Sequence, residues 1–213
     1  MKKDQIVRTM CEVAVFAALG YGLDMLSGLY SHFLFPNGGS IGIAMVCVFF
    51  IAFRRGLISG IATGLIIGLL QLIGGVYVSG LADTGFKVFC QIALDYWLAY
   101  PMVGFAGVLT WKIRKATTGK EMAIYIGLGC LIGGLLKYLC HFLSGVLFWP
   151  DDLWGVGGST IYSLLYNGSY MLPSIILCGA IMVFTGYKYP FFFGKEKGFD
   201  KAVKESETAE AQK

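Results

Sequence analysis

Apolar residues run through this chain in stretches too long for a soluble fold, with short polar interruptions between them. Such stretches, at 6–26, 41–53, 57–73, 88–111, 122–147 and 160–187, predict six helices, because crossing the ~30 Å hydrocarbon core of a bilayer takes about 20 mostly apolar residues. The second stretch is short. It ends at Arg54, Arg55 and Gly56, a tight charged turn, so the second and third stretches read as a helical hairpin. The expected fold class is all-α, an integral membrane bundle of six transmembrane helices forming one domain over residues 1–194. The tail, 195–213, is rich in Lys, Glu and Ala and has almost no large apolar residues after Phe199. It cannot bury enough surface to offset its ordering entropy and is expected to be a disordered cytoplasmic end. The first stretch is long enough to span and lacks a small-residue cleavage site, so insertion by the spans themselves is expected.

Composition agrees with the pattern. Of 213 residues, 56% are hydrophobic and only 14% charged, and the mean hydropathy is +0.69, which makes the bilayer the solvent of this chain. Charge then sets the orientation. With both termini in the cytoplasm, fifteen of the seventeen basic residues fall inside, as the positive-inside rule requires. The exceptions are Lys87, in an outer loop, and Lys137, inside a span, while Asp83, Asp151 and Asp152 lie in outer loops. The six cysteines sit in apolar segments without CxxC or Cys/His spacing, so they read as small buried hydrophobes and no metal or cofactor is expected. Gly60, Gly64 and Gly68 repeat at four-residue spacing along one face of the third helix, where a neighbouring helix can approach closely.

Ionisable or strongly polar side chains inside spans are costly unless they are paired or line a wet cavity, which makes each a functional candidate. Asp95, Lys137, His141 and Asn167 are of this kind. Counted at about 1.5 Å per residue, all four fall in the outer half of the membrane. Lys137, Tyr138 and His141 share adjoining parts of one helical face, which continues outward to Trp149. Tyr162 and Asn167 approach from the sixth span, and Asp95 and Tyr96 from the fourth. Together they suggest a polar, aromatic-walled pocket open to the outside, with a carboxylate for positive charge and rings for stacking. Each has a structural alternative: an Asp95–Lys137 ion pair, a hydrogen-bonded core His141, and belt aromatics at Trp149, Trp154 and Tyr162. Tyr166, Tyr170 and Trp97 read as packing or belt residues, and Trp111 beside Lys112 as an inner interfacial anchor.

The segments KYLCHFLSGVLFW and YSLLYNGSYMLPS, with LDYWLAYPMVGFAG and FRRG, resemble the thiamine-specific substrate-binding S component of energy-coupling factor transporters over about residues 8–187. That resemblance implies thiamine as ligand in a pocket near the outer surface of a bacterial cell membrane. It carries a ligand role to Asp95, Tyr96, Lys137, His141, Trp149, Tyr162 and Asn167. The family carboxylate is often Glu where this chain has Asp95, one methylene shorter. An aromatic supplied by the first loop in some relatives has candidates in Tyr30, His32, Phe33 and Phe35. Thiamine suits the pocket, because a permanent thiazolium cation calls for a carboxylate and π faces. The chain has no GxxxxGK[ST] phosphate loop, and the resemblance implies a partner transmembrane component and two ATPase subunits. It also implies docking through an AxxxA pattern on the first helix, matched by Ala14 and Ala18; ordinary intramolecular packing is the alternative use of that spacing.

Three other readings remain open at this level. One is an S component for another vitamin, and another is a secondary transporter coupled to protons through His141. The third, an intramembrane enzyme using Asp95, Lys137 and His141, lacks an evident nucleophile, with Ser144 reading as a packing residue.

Overall fold

The computed structural model describes residues 3–31, 33–35, 38–79, 82–149 and 159–194. Six helical segments follow one another: α1 (Lys3–Ser31), α2 (Met45–Arg55), α3 (Leu57–Gly74), α4 (Gly85–Lys115), α5 (Gly119–Phe148) and α6 (Ser159–Lys188). A 3-10 turn, Pro190–Phe193, closes the described chain. His32, Asp151, Asp152, Trp154 and the tail 195–213 lie outside the described residues.

Five of the six helices are long and apolar enough to cross a bilayer. The exception is α2, whose 11 residues span about 17 Å. Its position explains the length: Val48, Phe49, Ile51, Ala52 and Phe53 are fully buried, so α2 is packed in protein rather than facing lipid. Irregular backbone at membrane depth is tolerated only inside protein or along a cavity, and the stretch leading into α2 meets that condition. Hydroxyls satisfy its peptide groups: Ser174 Oγ accepts from Gly42 N (3.0 Å), Ser31 Oγ accepts from Ile41 N (3.2 Å), and the Tyr30 hydroxyl donates to the Ile41 carbonyl.

The glycine stripe of α3 performs the close approach expected of it. A Cβ at Gly64 would collide with the Tyr100 carbonyl, and one at Gly68 with that of Tyr96, so α3 lies directly on the backbone of α4. Helix α4 is irregular where they touch. A π-helical stretch, Ala93–Leu98, closes with the Ala99 N–H on the Leu94 carbonyl, five residues back. Pro101, just beyond, brings no N–H to the Trp97 carbonyl. The extra residue of a π turn rotates the side chains that follow it, and such turns are frequent at functional sites; this one carries Asp95 and Tyr96.

Basic residues collect at one end of the bundle. Glu12 of α1, its side chain 19% exposed, accepts from Arg54 Nε (3.0 Å) and from Arg55 Nε (2.6 Å). Arg54 also donates to the Phe192 carbonyl (2.6 Å), and Arg114 donates to the Arg54 carbonyl (3.0 Å). This network ties α1, the α2–α3 turn, the end of α4 and the terminal 3-10 turn together. Elsewhere the outer faces expose Leu19, Leu65, Leu128, Leu139 and Ile176, the apolar exterior that a lipid solvent selects.

Candidate functional site

A cavity of about 520 Å³ opens between the helix ends opposite the basic cluster. All seven residues singled out in the sequence line it: Asp95 and Tyr96 from the π turn, Lys137 and His141 from α5, Trp149 at the end of α5, and Tyr162 and Asn167 from α6. Convergent polar groups in an aromatic-walled cleft are the usual form of a small-molecule site.

Asp95 is the centre of one wall. Its Oδ1 lies 3.1 Å from His141 Nδ1, and its Oδ2 accepts from Ser144 Oγ at 2.7 Å. Its side chain is 17% exposed and that of His141 15%. Two expectations change here. The Asp95–Lys137 pair is replaced by Asp95–His141, and Ser144, read from sequence as packing, is a direct partner of the carboxylate. His141 and Ser144, three residues apart, share a face of α5, and the placement of Asp95 on α4 sets it against that pair rather than against Lys137. Lys137 instead places its ammonium 3.5 Å from the centre of the Tyr100 ring, a cation–π contact at a side chain 7% exposed.

Asn167 holds α6 to α5. Its Nδ2 donates to the His141 carbonyl (3.2 Å) and to Ser163 Oγ (3.1 Å), and its Oδ1 accepts from Tyr170 Oη (2.5 Å). Gly145 opposite leaves the room, since a Cβ there would sit 2.9 Å from Ser163 Cβ. Tyr170 and Tyr166, expected as packing or belt residues, are buried members of the cavity wall, and the Tyr166 hydroxyl donates to the Gly38 carbonyl (2.9 Å). Trp97 keeps its packing role, meeting Phe89 edge to face. Tyr162 stacks on Tyr166 with centroids 5.4 Å apart.

Among the described first-loop candidates, Tyr30, Phe33 and Phe35, Phe35 lines the cavity. It is 7% exposed and packs edge-on to Tyr170 at 5.4 Å, whereas Phe33 is 87% exposed and Tyr30 turns to the Ile41 carbonyl. Tyr77, between α3 and α4, was not singled out by sequence. Its ring stacks on Trp149 (5.5 Å, 15°) and its N–H donates to the Tyr96 hydroxyl (2.9 Å). Asp24 and Gln71 also line the cavity. Both are polar groups inside predicted spans, so the rule that found Asp95 reaches them too.

Ala14 and Ala18 lie on the exposed face of α1, with Val15 and Leu19 beside them. Their AxxxA spacing is not used for packing within the bundle.

Known proteins resemble this chain along most of its length. The model of the thiamine transporter protein family matches residues 10–193. Thiamine transporter ThiT of Bacillus subtilis is 34% identical over 182 residues, 84% of this chain and 89% of that protein. Thiamine transporter ThiT of Lacticaseibacillus paracasei is 28% identical over 180 residues, 83% and 86% of the two chains. A solved structure of ThiT from Listeria monocytogenes superposes with a TM-score of 0.73 at 26% identity, covering 89% of this chain and 98% of that one. With its six-helix membrane bundle, this chain belongs to the thiamine transporter protein family.

Proposed function

We propose that this chain binds thiamine in the cavity between its outer helix ends and delivers it for import as the S component of an energy-coupling factor transporter. The convergence of Asp95, Tyr96, Tyr77, Trp149 and Tyr170 on one cavity carries this reading. A fixed thiazolium charge leaving water needs a compensating anion, and aromatic faces add attraction that strengthens on desolvation. Asp95, Tyr96, Lys137, His141, Trp149, Tyr162 and Asn167 are the proposed binding set. Asn167 and Ser144 act chiefly by fixing the groups beside the ligand. The basic end faces the cytoplasm, which turns the cavity outward.

Transport against a gradient then draws on ATPase subunits through a transmembrane partner. The exposed Ala14–Ala18 face of α1 is the proposed docking surface, because small side chains let a second helix approach closely. A binding role suits the site better than catalysis. Ser144 donates to Asp95 rather than to an imidazole, so the serine lacks the base that a Ser–His nucleophile requires.

Isothermal titration of the purified chain with thiamine tests the binding reading. Saturable one-to-one binding, not displaced by riboflavin or biotin, is expected. Binding of another vitamin in preference to thiamine would overturn the assignment of substrate.

A further inference from the structure

One helical turn nearer the basic end than Asp95 and His141, a second polar group forms another wall of the cavity. Asp24 of α1 accepts from the Tyr100 hydroxyl through Oδ1 and from Gln71 Nε2 through Oδ2. A carboxylate only accepts, so the Gln71 amide is oriented with nitrogen on Asp24 and oxygen away from it. That oxygen, Oε1, is buried and has no hydrogen-bond partner, and Gln71 itself is 8% exposed and lines the cavity. A buried acceptor without a donor carries an uncompensated desolvation cost, which a ligand donor would remove.

The charges of the two walls differ. Lys137 brings its ammonium to the Tyr100 ring, and the hydroxyl of the same tyrosine donates to Asp24, so a cation and a carboxylate meet at one residue. Opposite charges on one wall leave it near neutral. Asp95, held by His141 and Ser144, faces no lysine or arginine among its hydrogen-bond partners. The cationic part of a ligand therefore belongs at Asp95 and a neutral polar group at Gln71.

We propose that Gln71 Oε1 reads the ligand, accepting a hydrogen bond from a neutral O–H or N–H donor, with Asp24 and Tyr100 positioning its amide. This rests on the thiamine reading above. Thiamine offers two such donors, the hydroxyl of its hydroxyethyl arm and the exocyclic amine of its pyrimidine. Both present the same chemistry to Gln71, and analogues separate them.

The full chain in detergent and its Gln71→Met variant are titrated with thiamine, with oxythiamine, which carries a carbonyl in place of the amine, and with the analogue bearing ethyl in place of hydroxyethyl. The variant is expected to bind thiamine about tenfold more weakly than the wild type. It should bind as the wild type does whichever analogue lacks the donor in question, and that analogue identifies the donor. An equal loss for all three ligands, or no loss for any, overturns the proposal. Wild-type affinities test it independently of the variant's folding: at least one analogue should bind about tenfold more weakly than thiamine, and equal affinity for all three overturns it. A wild type that binds no thiamine instead sinks the substrate assignment on which the proposal rests.

Discussion

Asp95 is the residue on which binding should depend most. Asp95→Asn keeps the shape and removes the charge, so a fixed cation entering the cavity loses its counter-ion; the expected loss is at least about 3 kcal/mol, or a hundredfold in Kd. Tyr96→Phe, which removes only the acceptor for Tyr77 N, should cost about tenfold or less. Calorimetry on the two variants checks the order, and equal losses would deny Asp95 its special role. Ser144→Ala is expected to weaken binding by roughly tenfold, as a hydrogen bond to a charged group is lost, with little effect on the thermal midpoint. The cost of polar groups in a bilayer made Asp95, Lys137, His141 and Asn167 legible from sequence alone. The same cost applied to Asp24 and Gln71, but each lies within a few residues of the end of its predicted span, 6–26 and 57–73, where the cost of a polar side chain is lower. Partner choice was not legible. Whether Asp95 meets His141 or Lys137 depends on the rotation of α4 against α5, which the π turn sets.

At the level of elements, the α3–α4 contact is the one that aims the site. Gly64 and Gly68 lie on the carbonyls of Tyr100 and Tyr96; Tyr96 adjoins Asp95 in the π turn, Tyr100 follows just beyond it, and both line the cavity. Gly64→Ala should therefore push the helices apart at a cost of about 1–3 kcal/mol. Thermal unfolding in detergent should register this as a lower midpoint accompanied by weaker thiamine binding; an unchanged midpoint would mean that the helices yield without strain. The four-residue glycine spacing announced the close approach, and the apolar runs located each of the six helical segments. The shortness of α2 was visible too, since its run ended early at Arg54. The π turn was not, because hydrophobic pattern records which face is buried and not how tightly a helix is wound. Phe35 and Tyr77 reach the cavity from irregular segments, where no periodicity exists to place them.

For the whole molecule, the proposed binding cavity and the proposed docking face lie in separate places. The cavity occupies the end opposite the Glu12–Arg54–Arg55 network, and the exposed Ala14–Ala18 face runs along the outside of α1. Ala14→Trp is expected to abolish co-purification of the ATPase subunits while leaving thiamine affinity within about twofold of wild type, since surface substitutions away from a site change little. Retained co-purification would move the docking surface elsewhere. Glycine spacing suggested one close-packing face and the family resemblance pointed to a second at Ala14 and Ala18; in the tertiary arrangement the α3 stripe is consumed inside the bundle and the α1 pair is exposed.

The proposed thiamine site is the cavity around Asp95 and Trp149. Titration of the purified chain with thiamine, followed by intrinsic tryptophan fluorescence, tests it most directly, because a ligand ring lodged against the Tyr77–Trp149 stack should quench the indole. Saturable quenching that disappears in Trp149→Phe and requires far more thiamine in Asp95→Asn is the expected result. Quenching that persists unchanged in both variants, or thiamine binding that leaves Trp149 silent and ignores the loss of Asp95, would place the ligand elsewhere and contradict the account.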